Sequence, residues 1–185
     1  MKRLLSVFLL IAILFCGGCS MESVIPETGE TFGYYLENKE IFLDAVQVLT
    51  LNGYDALISK TEYYSVEGSE DIQNCYIQKM EDQSVSEYTE SSVLKVFDHC
   101  NVKLIDVIFR DELVVCSFDM CIPGRNYDFG IYYVSEDKPI YLGDPSITLL
   151  EKQNGFSYEQ SASYGTKFTY YTEKIDDNFY YYEIM

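Results

Sequence analysis

The spacing of apolar residues predicts two helices. In residues 37–51 apolar side chains recur every three or four positions, as on one face of a helix, and an Asn-Gly pair follows as a stop signal. Residues 90–100 repeat the pattern over a shorter length, with Lys95, Asp98 and His99 on the polar side. We therefore expect one long and one short helix, each with a single buried face.

Elsewhere the apolar residues alternate with polar ones or form short runs, which is typical of β-strands. The predicted strands cover residues 56–66, 72–80, 102–110, 113–121, 127–134, 140–142, 166–172 and 178–184. A helical turn is predicted within 147–154. Strands joined mostly by short turns pair antiparallel, and amphipathic helices need an apolar surface to cover. The sequence thus predicts an α+β fold, in which two helices pack on one face of a mainly antiparallel, meander-like sheet.

The beginning of the chain has the pattern of an export signal. Two basic residues precede an apolar run over residues 4–15, which is shorter than the roughly 20 residues that cross a bilayer. Small residues follow, and Gly17, Gly18 and Cys19 resemble the cleavage box of bacterial lipoproteins. Cys16 stands where that family usually has Leu.

The resemblance to lipoproteins implies that residues 1–18 are removed as a signal peptide and that the sulfur of Cys19 carries the lipid. Cys16 as the acceptor would instead place a bulky aromatic residue at the cleavage site. Residues 19–31 would then be a linker, and residues 32–185 a single domain on the extracytoplasmic face of the cell membrane. An uncleaved membrane anchor and a plain secretory signal are the alternatives.

The net charge narrows the range of partners. Two of the 13 basic residues lie in the predicted signal peptide, so the mature chain carries 11 basic and 30 acidic residues, a net charge of −19. This balance argues against nucleic acid, because binding a polyanion requires a basic surface. A negative field attracts positively charged molecules. We expect a basic protein or peptide as the partner, in addition to the membrane reached through the lipid on Cys19.

Few side chains offer catalytic chemistry. His99 is the only histidine, and on a helix it does not face the adjacent Cys100. The motifs of serine hydrolases, phosphate-binding loops and zinc proteases are absent from the sequence. We expect no catalytic residue, cofactor or metal site, and hence a non-enzymatic protein. The alternative is a cell-envelope enzyme that uses paired carboxylates on cell-wall glycans.

Four cysteines lie beyond the predicted lipid acceptor: Cys75, Cys100, Cys116 and Cys121. Outside the cytoplasm they could form disulfides. Cys116 and Cys121 are five positions apart in one predicted strand, so their side chains point to opposite faces and can neither bridge nor share a zinc ion. Buried free thiols are favoured, and a disulfide elsewhere remains open.

Tyrosine is abundant, with 18 residues, six of them from Tyr164 onward. Alternation along the last two predicted strands sends aromatic side chains to both faces of the sheet. One set must cover the core, and the other lies either under a loop or at a partner surface. Because tyrosine is frequent at binding surfaces, Tyr171, Tyr180 and Tyr182 are candidates for a partner surface. Ordinary cross-strand packing is the alternative.

An early helix, a Gly-Ile-Tyr-Tyr strand and a closing aromatic strand are together similar to a pattern in small lipoproteins of Gram-positive bacteria. The matching pieces are residues 130–133 and 179–183. That group has no known activity, so the resemblance implies a location and no reaction. The sequence as a whole predicts a lipid-anchored, non-enzymatic extracytoplasmic protein that recognises, or protects against, basic partners.

Overall fold

The computed structural model describes residues 28–60, 75–120, 128–152, 155–161 and 167–185. Within them lie two helices, α1 (Thr28–Leu51) and α2 (Ser91–His99), and ten strands. The strands are β1 (Ala56–Lys60), β2 (Cys75–Lys79), β3 (Val85–Tyr88), β4 (Val102–Arg110), β5 (Leu113–Met120), β6 (Asp128–Val134), β7 (Leu150–Lys152), β8 (Gly155–Ser161), β9 (Lys167–Asp176) and β10 (Phe179–Ile184). Among the described residues, neither helix has the length and apolar character that crossing a membrane requires.

The ten strands form one sheet in the order β3-β2-β1-β4-β5-β6-β10-β9-β8-β7. Every neighbouring pair is antiparallel. Three runs of consecutive strands, β1–β3, β4–β6 and β7–β10, are each a meander, and they join where β1 meets β4 and where β6 meets β10. The predicted α+β fold, with two helices against a mainly antiparallel sheet, is confirmed.

Both helices cover the same face of the sheet. Helix α1 buries Tyr35, Phe42 and Leu49 at intervals of seven residues, which is two helical turns. The ring of Phe42 meets that of Phe118 edge-on at 5.1 Å between centroids, and the ring of Tyr35 lies 5.0 Å from that of Phe179. Helix α2 adds three buried side chains, Val93, Val96 and Phe97. These contacts make the helix-side core.

A second apolar cluster lies on the opposite face, over β6, β9 and β10. Its aromatic members are Tyr132, Tyr170, Tyr180 and Tyr182. The connection from β6 to β7 covers them, with Ile140 buried and further apolar side chains packed around it. In this half the sheet is therefore enclosed on both faces, the helices on one side and a chain segment on the other.

Several sequence predictions fail at the periphery of the sheet. Residues 140–142 form no strand, because the N–H and C=O groups of Ile140 bond to tyrosine hydroxyls below them. The helical turn predicted within 147–154 is also wrong, since β7 lies there and pairs with β8. Strands β3 and β8 were not predicted, because β3 is short and largely polar and β8 has only two aromatic residues among polar ones.

The start of the domain also differs from the prediction. Helix α1 begins at Thr28, nine residues before the predicted helix, so residues 28–31 are helical rather than part of a linker over 19–31. Thr31 is buried. The extra turns are held by tertiary contacts, since the Tyr35 hydroxyl donates to the Asp176 carboxylate at 3.3 Å. Part of the first predicted strand, residues 61–66, lies outside the described residues.

Candidate functional site

The three tyrosines predicted to form a partner surface do not share one. Register pairs Glu183 with Tyr171 and Thr172 with Tyr182, so Tyr171 lies on the helix side, and Tyr180 and Tyr182 lie on the other. Tyr180 and Tyr182 are only 2% and 3% exposed. The prediction is therefore wrong for these two, because the β6–β7 connection covers their face. Tyr171 is half-buried against the helix-side core.

The hydroxyls of the buried tyrosines form hydrogen bonds within the protein. The Tyr132 hydroxyl bonds to Thr172 Oγ1 at 2.9 Å and accepts the Ile140 N–H at 3.1 Å. The Tyr170 hydroxyl donates to the Ile140 carbonyl at 3.0 Å. Burial raises the pKa of Tyr132 to about 12, so the phenol stays protonated near neutral pH. This cluster is a second core, and its polar atoms are already satisfied.

Polar side chains meet on the same face, further toward β1. Asp106 in β4 faces Ser117 in β5, and Leu104 faces Asp119. Asp106 and Asp119 are therefore diagonal neighbours on adjacent strands, within the range at which charged side chains interact. Ser59 in β1 faces Leu104 from the other side. We call Ser59, Asp106, Ser117 and Asp119 the acidic patch; its members surround Leu104.

Asp119 is held by a residue from a distant part of the chain. The Tyr182 hydroxyl donates to Asp119 Oδ1, and the Ser117 hydroxyl donates to the same oxygen at 3.4 Å. Gly130 lies between Asp119 and Tyr182 in the register of β5, β6 and β10. A Cβ on Gly130 would come within 2.9 Å of the Tyr182 ring and would overlap the Phe118 carbonyl. Glycine at this position lets the tyrosine cross β6 to reach the carboxylate.

The two carboxyls of the patch have raised pKa values. Burial, followed by the neighbouring Asp119 and Asp55, raises the pKa of Asp106 to about 6, against a lowering effect of Arg110. Burial also raises the pKa of Asp119, although the hydrogen bond from Tyr182 works in the opposite direction. Within the part of the chain that the structure describes, neither carboxyl forms an ion pair.

Arg110, the cation whose charge lowers the pKa of Asp106, already has a carboxylate partner. Arg110 Nη1 lies 2.5 Å from Asp55 Oδ2. The other Asp55 oxygen accepts the Phe109 N–H at 2.6 Å. Asp55 thus anchors the end of β4 and holds the guanidinium, which leaves the negative charge of the patch largely uncompensated.

Ser59 is the unusual hydroxyl of the patch. None of its surface is exposed, and its Oγ has no hydrogen-bond partner among the residues that the structure describes. Ala56 and Ile58 belong to the helix-side core, so alternation along β1 places Ser59 on the face of Asp106. A buried hydroxyl without a partner typically costs about 1–3 kcal/mol. Among the described residues no group offsets this cost.

The sequence interpretation passed over Asp106 and Asp119, since pairs of carboxylates arise by chance among 30 acidic residues. A local signal existed for each. Asp106 lies within a mostly apolar strand, and Asp119 lies between two buried residues in β5. Their proximity was not readable, because it depends on how β4 and β5 pair.

The remaining chemical groups are placed as predicted where the structure describes them. Cys75, Cys100 and Cys116 are free and buried, which confirms the expectation of buried thiols for these three. Burial raises the pKa of Cys75 and of Cys100 to about 11. His99 is exposed at the end of α2. Cys121 and the predicted lipid acceptor Cys19 lie outside the described residues.

Comparison with known proteins adds no relative. No protein-family model, no curated protein and no solved structure matches this chain. Among the described residues, no group of three or more His, Cys, Asp or Glu is placed to hold a metal ion. The structure is an α+β domain in which a partly buried acidic patch lies beside a second core lined by tyrosines.

Proposed function

We propose that this protein is a lipid-anchored extracytoplasmic module that recognises basic partners and acts without catalysis. The observation that carries the proposal is the acidic patch, where Asp106 and Asp119 lie together without an ion pair to a described cation. Complementary charge steers encounter and disfavours wrong partners. A patch of carboxylates on a chain of net charge −17 suits a positively charged partner.

The distribution of cations supports the same partner. Lys39 contacts Asp176 at 2.6 Å, and Lys60 contacts Asp98 at 3.2 Å, both away from the patch. Lys174 contacts Asp137 at 2.7 Å. These pairs neutralise carboxylates elsewhere on the domain, and no described cation forms such a pair with Asp106 or Asp119.

The proposed anchor would hold the domain close to the membrane. Cys19 and Thr28 are nine positions apart, and nine extended residues span at most about 30 Å. Two or three acyl chains give stable attachment to the membrane. The domain would therefore bind its partner within a few tens of ångströms of the bilayer.

Localisation is tested by labelling cells with a fatty acid and separating membrane from soluble fractions. The wild-type chain and Cys16→Ser should both carry the label and sediment with membranes. Cys19→Ser should carry no label. Label retained in Cys19→Ser but lost in Cys16→Ser would contradict the assignment of the acceptor.

Recognition is tested by binding to an immobilised oligolysine peptide, with an uncharged peptide of the same length as the control. We expect binding to oligolysine alone, and we expect it to weaken as salt shortens the screening length to about 10 Å at 0.1 M. Equal binding to both peptides, or none to either, would contradict the proposal.

A second candidate function is favoured by one specific observation. Glycoside hydrolysis requires a carboxylic acid of raised pKa beside a second carboxylate, and Asp106, with a pKa of about 6, lies beside Asp119. Release of soluble fragments from cell-wall glycans tests this alternative. Release that is lost in Asp106→Asn and kept in Asp44→Asn would favour the enzyme over the binding module.

A further inference from the structure

We propose that the acidic patch is a binding site for one organic cation, a primary ammonium group that lies between Asp106 and Asp119 and bonds to the hydroxyl of Ser59. This inference rests on the proposed recognition of basic partners, and it names the chemical group that is recognised and the place where it binds.

The two carboxyls supply the charge of the site. They come from adjacent strands and share one face, with Leu104 beside both of them. Both are half-buried, so they are reached from solvent while partly shielded from it. An ammonium group carries three donors and can bond to two carboxylates at once. Its charge would relieve the mutual repulsion of Asp106 and Asp119.

Ser59 provides an independent observation that points to a ligand. Its hydroxyl is fully buried, has no hydrogen-bond partner within the described part of the chain, and lies on the patch face across Leu104 from Asp119. Strand register also makes it a diagonal neighbour of Asp106. The third donor of a bound ammonium would satisfy it. A carboxylate cluster alone would explain neither the burial nor the missing partner of this hydroxyl.

The donor set fits an ammonium group better than a divalent metal ion. Calcium takes six to eight oxygen ligands in a protein site, whereas the patch offers two carboxylates and two hydroxyls. One oxygen of Asp119 already accepts bonds from Tyr182 and Ser117. Three hydrogen bonds, one each to Asp106, Asp119 and Ser59, match the number of donors that an ammonium group has.

Binding at this site should depend on protonation. The charges that act on Asp106 are those of Asp119 in β5, Asp55 before β1 and Arg110 in its own strand. Asp119 is acted on by the charge of Asp128 and accepts hydrogen bonds from Tyr182 and Ser117. The ammonium group binds the ionised carboxyls, so bound ligand and bound proton compete. Affinity should therefore fall as the pH is lowered through the pKa of Asp106.

Calorimetric titration of the purified full chain with 1,4-diaminobutane tests the site. Asp106→Asn should weaken binding by at least about tenfold, since an ammonium group would lose one of two charged partners. Asp44→Asn is the matched control, because it removes the same charge from the exposed side of α1. Its affinity should equal that of the wild type. Lowering the pH from about 7.5 to about 5 should weaken wild-type binding more than that of Asp106→Asn.

Ser59→Ala tests whether the serine hydroxyl takes part in binding or whether the charge of the two carboxylates accounts for it alone. It should weaken diaminobutane binding several-fold while the chain remains folded, which thermal unfolding verifies. Unchanged affinity in Ser59→Ala, or equal affinity in Asp106→Asn and Asp44→Asn, would overturn the proposal. Binding of calcium without binding of diaminobutane would also overturn it.

The source of the ammonium group is resolved by two further probes. A short lysine peptide and the same peptide with acetylated side chains are titrated beside diaminobutane. Tighter binding of the free peptide than of diaminobutane assigns the site to a lysine side chain of a protein partner, and the reverse assigns it to a small amine. If Asp106→Asn still binds oligolysine in a salt-sensitive way, this site is overturned and the proposed function stands. If the wild-type chain does not bind oligolysine, both the site and the proposed function are overturned.

Discussion

Asp106→Asn should stabilise the folded domain at neutral pH. The pKa of Asp106 is about 6 in the folded state, and that of an exposed Asp is about 3.9. A carboxyl with a raised folded-state pKa binds its proton more tightly when the chain is folded. Its contribution to stability is therefore present at low pH and is lost as the pH rises through about 4 to 6.

The size of the effect follows from the shift. About two pKa units correspond to at most about 3 kcal/mol, at 1.36 kcal/mol per unit. Asp106 is half-buried, and solvent screens its charge, so we expect about 1–2 kcal/mol. Asn keeps the shape of the side chain and carries no charge, so the variant should gain this amount at about pH 7.5 and very little at about pH 4.

Urea unfolding of the wild type, Asp106→Asn and Asp44→Asn at both pH values measures the effect. Other groups titrate as well, and Asp137 and Asp176 have lowered pKa values because of contacts with Lys174 and Lys39 respectively. Their contribution cancels when each variant is compared with the wild type at the same pH. If Asp106→Asn shows the same pH dependence as Asp44→Asn, the reasoning about burial and repulsion is refuted.

Three further changes test the packing around the site. Gly130→Ala should destabilise the domain by at least about 1–3 kcal/mol in urea unfolding, because the new methyl group would overlap the backbone carbonyl of Phe118 and meet the Tyr182 ring. Gly33→Ala in α1, where the Cβ meets nothing within 4 Å, should be neutral or stabilising. Equal effects of the two substitutions would contradict the steric argument. Ser59→Ala without ligand should raise the unfolding free energy by about 1 kcal/mol by removing an unpartnered hydroxyl, and a loss of stability would show that the hydroxyl has a partner after all. A chain that ends at Asp177 lacks β10, which lies between β6 and β9, and should show no cooperative thermal transition; a transition near that of the full chain would make β10 peripheral.

The edges and connections show where local patterns were insufficient. The apolar residues of 140–142 suggested a strand, but Ile140 is buried over the tyrosines and its backbone bonds to their hydroxyls. Strand β8 is largely polar apart from two aromatic residues, yet it pairs with β9 along its length. In both cases the conformation is decided by contacts with a segment that is distant in sequence, and this information is absent from a window of ten residues.

The candidate site depends on the same non-local information. Asp119 and Tyr182 are 63 positions apart, and their hydrogen bond requires that β6 and β10 pair so that Gly130 lies between them. Asp106 and Asp119 meet only because β4 and β5 pair in one particular register. A shift of that register by one residue would send one of the two carboxyls to the helix side.

By itself the sequence determined the class of fold, both helices, the central strands and the excess of negative charge, because periodicity and composition are local properties. It also determined that the aromatic residues of β10 alternate between faces. Only the tertiary structure decided that both faces are covered there, that Tyr180 and Tyr182 are buried rather than displayed, and that two aspartates and a serine without a partner lie together. Burial and neighbourhood are properties of the assembled sheet, since each depends on which distant segment packs against a strand.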